Sequence, residues 1–507
     1  MTNDNTVFKR RSGVLLSVSS LPGPFGTGVF GPEAKAFVDK IKEMGFSYWQ
    51  VLPLGPLDKG NSPYCGESAF AGNVLYIDPR GLAAEGLITE EDVSTCFYCG
   101  SPHTADYGFA SEKKRTVLEK AFNSFKELPS DAPLKRCFDN FVSTTGWLIP
   151  YAEYKALKEL FNGTPWSEWP ANDLCIDAGR REYLEGLHCF AQFMFFRQWA
   201  EIRKYANENG IGIIGDMPLY IAYDSADVRN DVSDFLIDPD TLKPVKVAGV
   251  PPDYFSEEGQ LWGNPLYDWA AMKKNGYRWW KQRVRTALEL YDIVRIDHFR
   301  GLASYWAIPS DAESAKAGAW EKGPGTDLFE ALAEIPGYSN ERLIAEDLGV
   351  FGTDVKELLA AVGLPGMRVI QFAFDESRES TNLPHNYEKN TIAYVGTHDN
   401  NTVFGWLWEA APEERAFALR YCGFKGDDWR AGGKTSESCR AVIEAVWRSC
   451  AKTAVVALQD MLGYGRDCRM NTPGKPDGNW LFRTTFDAIS QIDTDYFREI
   501  NTVFGRK

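Results

Sequence analysis

The chain has 507 residues, 44% hydrophobic and 25% charged, the mix of a soluble globular protein and not of a disordered or collagen-like chain. Its 70 acidic residues against 55 basic ones give a net charge of −15, which argues against nucleic acid or an anionic membrane as partner, since both want a basic surface. No run of about 18 apolar residues occurs and the first residues carry no apolar signal core, so neither a membrane span nor a secretory leader is expected, and the expected location is cytoplasmic.

In chain order, GVLLSV at Gly13–Val18 reads as the first strand. Pro32 opens a helix whose apolar face is Ala34, Phe37, Val38, Ile41 and Met44, and Gly45 closes it. YWQVLPL at Tyr48–Leu54 is the second strand. A helix carrying Phe196, Trp199 and Ile202 ends at Asn209-Gly210, before a third strand at Ile211–Pro218. A helix with Val284 and Leu288 precedes the fourth, Asp292–Asp297. Four more follow at Arg342–Asp347, Arg368–Phe374, Thr391–Thr397 and Ala454–Asp460. Eight strands with helical patterns between most of them predict an α/β fold of the (β/α)8 TIM-barrel type. The alternative is an open doubly wound sheet, but no GxGxxG directly follows the first strand.

Two connections are far longer than the usual βα loop of about 2–6 residues. The expectation is one catalytic barrel over residues 1–507, with insertions at approximately 55–210 and 218–290. The first holds a Trp-rich helical stretch, Leu134–Trp169, read as an inserted helical subdomain. The second holds VAGVPPDYFSEEGQLWGNPLYDW, Val247–Trp269, rich in Pro, Gly and aromatics and read as a long functional loop.

The ten cysteines are scattered. Cys96 and Cys99 form one CxxC, but a zinc site needs two more ligands and neither a second CxxC nor a nearby HxxxH occurs. Reduced structural thiols are the better reading, and no metal or cofactor is expected.

Three acids end apolar runs: Asp297 in VRIDHFRG, Glu346 in IAEDLG and Asp399 in GTHDNNT. In a TIM barrel that end of the strands carries the active site. Arg295 and Asp297 share a strand face. A guanidinium there favours the ionised carboxylate that a nucleophile requires, although a structural ion pair would look the same. Glu346 follows Leu343, Ile344 and Ala345, and an apolar setting would keep its carboxyl protonated, as a general acid requires. One charged and one protonated carboxyl is the demand of retaining glycoside chemistry. Asp399 is the third acid, and His298 and His398 are placed to donate to sugar hydroxyls. The heavy aromatic load, 16 Trp, 22 Tyr and 31 Phe, fits a cleft in which rings stack on sugars. A metal site built from the same acids and His is the alternative, without HExxH or clear facial-triad spacing.

The sequence resembles the 4-α-glucanotransferase family, also called amylomaltase or disproportionating enzyme, glycoside hydrolase family 77. The resemblance runs from SSLPGPFGTGVFG through WQVLPLGP, SPYCGESAFAGN, GDMPLYIAYDSADV, VRIDHFRG, IAEDLG, GMRVIQFAF and YVGTHDNNT to RMNTPG. It implies Asp297 as nucleophile, Glu346 as general acid/base and Asp399 as transition-state stabiliser. It implies that Arg295 and His398 hold the nucleophile and the sugar at the cleavage point, with Tyr64 as the aromatic platform beneath. Asp253, Phe255, Gln260 and Trp262 fall in the loop that closes over donor and acceptor, and Asn471 matches a sugar-binding residue. Asp216 matches the acid after the third strand, in part structural. Cys65 and Gly66 depart from the bulkier pair usual after SPY. The implied partners are malto-oligosaccharides, starch or glycogen-derived glucans, and glucose as acceptor, acted on by a monomer or homodimer. An α-amylase-like hydrolase would use the same three acids and hand the intermediate to water. A glucan-binding protein on an inactive barrel would not need all three.

Overall fold

The computed structural model describes residues 9–170, 177–252, 257–349, 352–374 and 379–507. Eight parallel strands form its centre: β1 Arg11–Leu15, β2 Tyr48–Gln50, β3 Gly212–Met217, β4 Ile293–Ile296, β5 Leu343–Ala345, β6 Gly366–Val369, β7 Thr391–Tyr394 and β8 Thr453–Ala457. Their hydrogen-bonded order is β6-β7-β8-β1-β2-β3-β4-β5, so each strand pairs with its neighbours in sequence, β8 with β1, and only β5 and β6 are left without a shared ladder. The seam between β5 and β6 is narrow. The Ala345 N–H donates to the Pro365 carbonyl at 2.9 Å, and the Met367 N–H donates to Asp347 Oδ1 at 2.6 Å. These contacts close the sheet into the expected barrel.

Strands buried on both faces need apolar residues at consecutive positions. Ile213-Ile214 in β3, Leu343-Ile344-Ala345 in β5 and Val455-Val456 in β8 supply them, all at most 1% exposed. The observed strands stop earlier than the apolar runs do. Ile370–Phe372 after β6 is a 3-10 turn, and Leu458–Met461 after β8 is a short helix. The chain leaves the ladder at the top of the barrel, where the side chains of the cleft are carried.

Flanking helices follow the sequence closely. Pro32–Glu43 has proline at its first turn and buries Ala34, Phe37, Val38 and Ile41, and Gly45 at φ +77° turns the chain back. Between β2 and β3 run helices Tyr107–Glu127, Pro133–Thr144, Leu148–Leu160 and the 31-residue Ala178–Glu208. Ring contacts among Phe122, Phe125, Phe138, Phe190 and Phe193 join the first, second and fourth of these. This helical layer reaches the top of the barrel. Tyr154 Oη donates to the Asp224 carbonyl at 2.9 Å, and Trp166 Nε1 donates to the Tyr223 carbonyl at 2.9 Å, both in the segment after β3.

The reading of Val247–Trp269 as a loop is corrected. Lys246–Val250 and Gln260–Pro265 are strands of a separate four-stranded antiparallel sheet, completed by Ser304–Pro309 and Ala319–Lys322 from the β4–β5 connection. The pattern hid them for two reasons. A register shift between Val247 and Gly249 breaks the alternation, and Leu261 and Trp262 are exposed large apolar residues on an edge strand whose first half is covered on neither face. Asp253 and Phe255 lie outside the described residues.

Candidate active site

The innermost group is an ion triad at the ends of β3 and β4. Strand geometry puts Arg295 and Asp297 on one face. Arg295 Nη2 lies 2.9 Å from Asp297 Oδ1, while Nη1 donates to both carboxylate oxygens of Asp216, at 2.8 and 2.7 Å. Arg295 Nε contacts Met367 Sδ at 3.3 Å. The Asp216 side chain is fully buried and that of Arg295 is 4% exposed, whereas Asp297 keeps 28% of its surface open. One guanidinium thus holds a buried carboxylate with one hand and presents an open one with the other. Burial pushes the Asp216 carboxyl up, against the pull of Arg295.

Glu346 follows directly from β5. His298, at φ 51° and ψ 43°, is in the left-handed region that non-glycine residues seldom adopt. That backbone aims its N–H at Glu346 Oε2, 2.8 Å away, and the Leu348 N–H donates to Oε1 at 2.8 Å. Each oxygen retains a second lone pair, enough to carry a proton towards the cleft. Protein crowds the group, and the resulting loss of solvation pushes its carboxyl up to about 8; Arg295 opposes this and the Asp297 charge adds to it. The same crowding lowers His298 to about 4, so its ring is neutral at pH 7.

Asp399, on the turn after β7, is the most open carboxylate of the three, its side chain 46% exposed. Asn471 Nδ2 donates to its Oδ1 at 2.6 Å, His398 Nε2 lies 3.4 Å from the same oxygen, and Arg469 donates to its backbone carbonyl. Tyr64 bridges the two halves of the cleft. Its hydroxyl donates to Asp216 Oδ2 at 2.8 Å and lies 3.3 Å from His398 Nδ1, and the two rings stack at 4.9 Å and 19°. The loop carrying Tyr64 passes so close to its own start that a Cβ at Gly66 would sit 2.2 Å from the Pro56 carbonyl oxygen. The bulkier residue expected from the family pattern therefore has no room in this loop conformation.

The small antiparallel sheet borders the opposite rim. The Trp262 ring meets the edge of the His298 ring at 4.8 Å and 77°, and its Nε1 donates to Gln260 Oε1 at 3.0 Å. Of the thirteen residues singled out from sequence, eleven are described. Contacts link Asp216, Arg295, Asp297, Tyr64, His398, Asp399 and Asn471 into one network, and Glu346, His298, Trp262 and Gln260 into a second.

Sequence reasoning did not single out Trp480, Met367 or Arg469. Trp480 holds a φ of 66° and its ring lies 5.6 Å from Tyr64 and 5.8 Å from His398. Nothing local marks it, because its place is fixed by distant partners: Tyr107 Oη donates to its carbonyl at 2.9 Å, and its own N–H donates to Met470 at 2.7 Å.

A family model described as 4-alpha-glucanotransferase matches residues 16–488. The chain belongs to the 4-alpha-glucanotransferase family. A 4-alpha-glucanotransferase of Thermus thermophilus is 43% identical over 486 residues, 94% of each chain. The chloroplastic/amyloplastic 4-alpha-glucanotransferase of Arabidopsis thaliana is 40% identical over 511 residues, covering 98% of this chain and 86% of its own. Amylomaltase from Streptococcus agalactiae, solved in complex with acarbose, matches with a TM-score of 0.91 at 37% identity, covering 98% of this chain and 100% of that one. This 4-alpha-glucanotransferase family member is accordingly a glycosyl-transferring enzyme on a TIM barrel. Among the described residues, no helix is long and apolar enough to cross a membrane.

Proposed function

We propose that the enzyme moves α-1,4-glucan segments by a retaining double displacement. The donor is a malto-oligosaccharide or a starch- or glycogen-derived glucan, and the acceptor is glucose or another glucan. Asp297 attacks the anomeric carbon of the donor while Glu346 gives its proton to the departing glycosidic oxygen. The C–O bond breaks with its electron pair on that oxygen, and a glycosyl ester to Asp297 forms. Glu346, now a carboxylate, takes the proton of the acceptor's 4-hydroxyl as that oxygen attacks the same carbon, and Asp297 leaves as the carboxylate.

The observation that carries this reading is the contrast between the two carboxyls. Asp297 is open to the cleft and paired with a guanidinium, while Glu346 is crowded and pushed towards its protonated form. Asp399, oriented by Asn471 and His398, accepts hydrogen bonds from sugar hydroxyls as the ring flattens. Tyr64 forms the platform beneath that ring. Arg295 and Asp216 hold the nucleophile, and His298, Gln260 and Trp262 line the acceptor and donor rim; Asp253 and Phe255 are assigned to glucan binding on the family resemblance alone. The reaction so written needs no metal or cofactor. The whole chain acts as one catalytic barrel with its insertions, as a monomer or homodimer in the cytoplasm.

Incubation with maltotriose tests the reading. Transfer releases glucose and builds longer glucans while the number of reducing ends stays constant. A rise in reducing ends means hydrolysis and rejects it. In a glucan-bound crystal structure the Asp297 and Glu346 carboxyls should stand about 5–5.5 Å apart, and a separation of roughly 6.5–9.5 Å would mean inversion.

A further inference from the structure

A second aromatic surface lies outside the cleft, where Trp408 and Trp429 meet. Trp408 is 54% exposed, on the short helix Val403–Glu409 that begins just beyond Asp399. Its ring packs against Trp429 at 4.9 Å, with the two planes tilted by 59°. The pair is built, not loose. Arg415 places its guanidinium 4.6 Å over the Trp429 ring and donates to the Ala410 carbonyl at 3.0 Å and to the Leu407 carbonyl at 3.2 Å. Ser438 Oγ donates to the Trp429 carbonyl at 2.8 Å, and Phe404 stands edge-on to Trp408 at 6.4 Å. Trp429 is thus fixed from behind, and the Trp408 ring remains offered to solvent.

The surroundings are polar: the Glu409–Arg466 pair at 3.2 Å and the Asp428–Arg430 pair at 2.7 Å flank the rings. A flat apolar face with hydrogen-bonding groups at its edges suits a sugar, which has apolar ring faces and hydroxyls around its rim. A protein interface would show a larger apolar patch with fewer charges at its centre. The chain also ties this surface to the cleft. Arg466 begins the turn that leads to Arg469, and Arg469 donates to the Asp399 backbone carbonyl.

We propose that Trp408 and Trp429 form a remote binding site for the distal part of a long α-1,4-glucan whose reacting end occupies the cleft. This rests on the glucan-transfer reading above. A chain held at both places presents its reacting end at a raised effective concentration, whereas a chain too short to span them gains nothing. The site therefore discriminates by length and leaves the chemistry alone.

The test compares wild type with Trp408→Ala and Trp408→Tyr on maltotriose and on amylose. Trp408→Ala should raise the KM for amylose about tenfold, leave maltotriose kinetics unchanged, and lose retardation in an amylose-containing native gel. Trp408→Tyr should restore amylose kinetics, because an aromatic face is retained. An unchanged amylose KM overturns the proposal. So does an equal loss on both substrates, which would mean that the helix supports Asp399. A wild-type dimer that dissociates in Trp408→Ala with unchanged amylose kinetics overturns it in favour of self-association. Absence of transfer from maltotriose in the wild type would instead defeat the glucan-transfer reading itself.

Discussion

On the β3–β5 side of the cleft the charges are locked into the protein, and on the β7 side they face solvent. Asp216 and Arg295 are almost without exposure and Glu346 is gripped by two backbone N–H groups, while the Asp399 side chain is 46% exposed. The locked side sets protonation and charge before substrate arrives, in an environment where electrostatic effects are large and reorganisation is small. The open side must admit and release a polymer, so its groups gain their full effect only when a sugar displaces water. Substitutions on the two sides should therefore differ in kind. Those on the locked side should disturb chemistry or folding, and those on the open side should disturb partition and binding.

The largest effect is expected for Asp297→Asn. The carboxylate projects into the cleft, so its loss should spare the fold while transfer from maltotriose falls by roughly 10⁴-fold or more. Circular dichroism and thermal melting would check the fold. Activity within tenfold of wild type would show that another group forms the covalent bond.

Arg295→Met and Asn471→Ala sharpen the contrast through stability. The first leaves the Asp216 carboxylate buried without its cation, a change that typically removes about 3–5 kcal/mol. Asn471 binds an exposed carboxylate, so its truncation should change stability by less than about 1 kcal/mol while still slowing transfer. Urea unfolding measures both. Equal losses would mean that the two sides are not distinct.

The next effect is on pH dependence. With Glu346 at about 8, the acid is protonated at neutral pH. As pH rises through that value the proton is lost, and kcat/KM should fall about tenfold per unit beyond it. The stability sign agrees. Because the folded carboxyl sits above its ordinary value, its contribution is complete at low pH and is lost as pH rises towards 8. A kcat/KM profile flat to pH 9.5 would rule out Glu346 as the acid.

The locked side was also the legible side. Asp297 and Glu346 close apolar runs of strand length, and the i, i+2 rule alone placed Arg295 beside Asp297. The helices from Pro32 and to Asn209 were marked by their caps and periodicity. The small antiparallel sheet was not legible, because its strands come from two different connections, Lys246 pairing with Pro309, and carry exposed rings where alternation predicts polar groups. Trp480 was hidden for a related reason: its left-handed backbone and its stacking partners are fixed by tertiary contacts with Tyr107, Tyr64 and His398. The left-handed turn at His298, which aims an N–H at Glu346, is equally invisible in a residue string.

The smallest expected effect belongs to Trp262, yet it separates transfer from hydrolysis. A glycosyl ester is open to attack by water, so a transferase must exclude water or outcompete it with a bound acceptor. Trp262 stands on the small sheet against the His298 ring, and its indole is held by Gln260 while much of it remains exposed. That position lets it cover the Asp297–Glu346 side of the cleft and stack an incoming glucose. Trp262→Ala removes the cover without touching an ion pair. Its strand pairs through backbone hydrogen bonds that do not depend on the indole, so thermal stability should hold to within about 2–4 °C. The fraction of turnovers ending in new reducing ends should rise several-fold, with total donor cleavage less affected. An unchanged partition would assign the exclusion of water to other residues of the rim. A large loss of stability would make the ring part of the packing that holds the small sheet to the barrel.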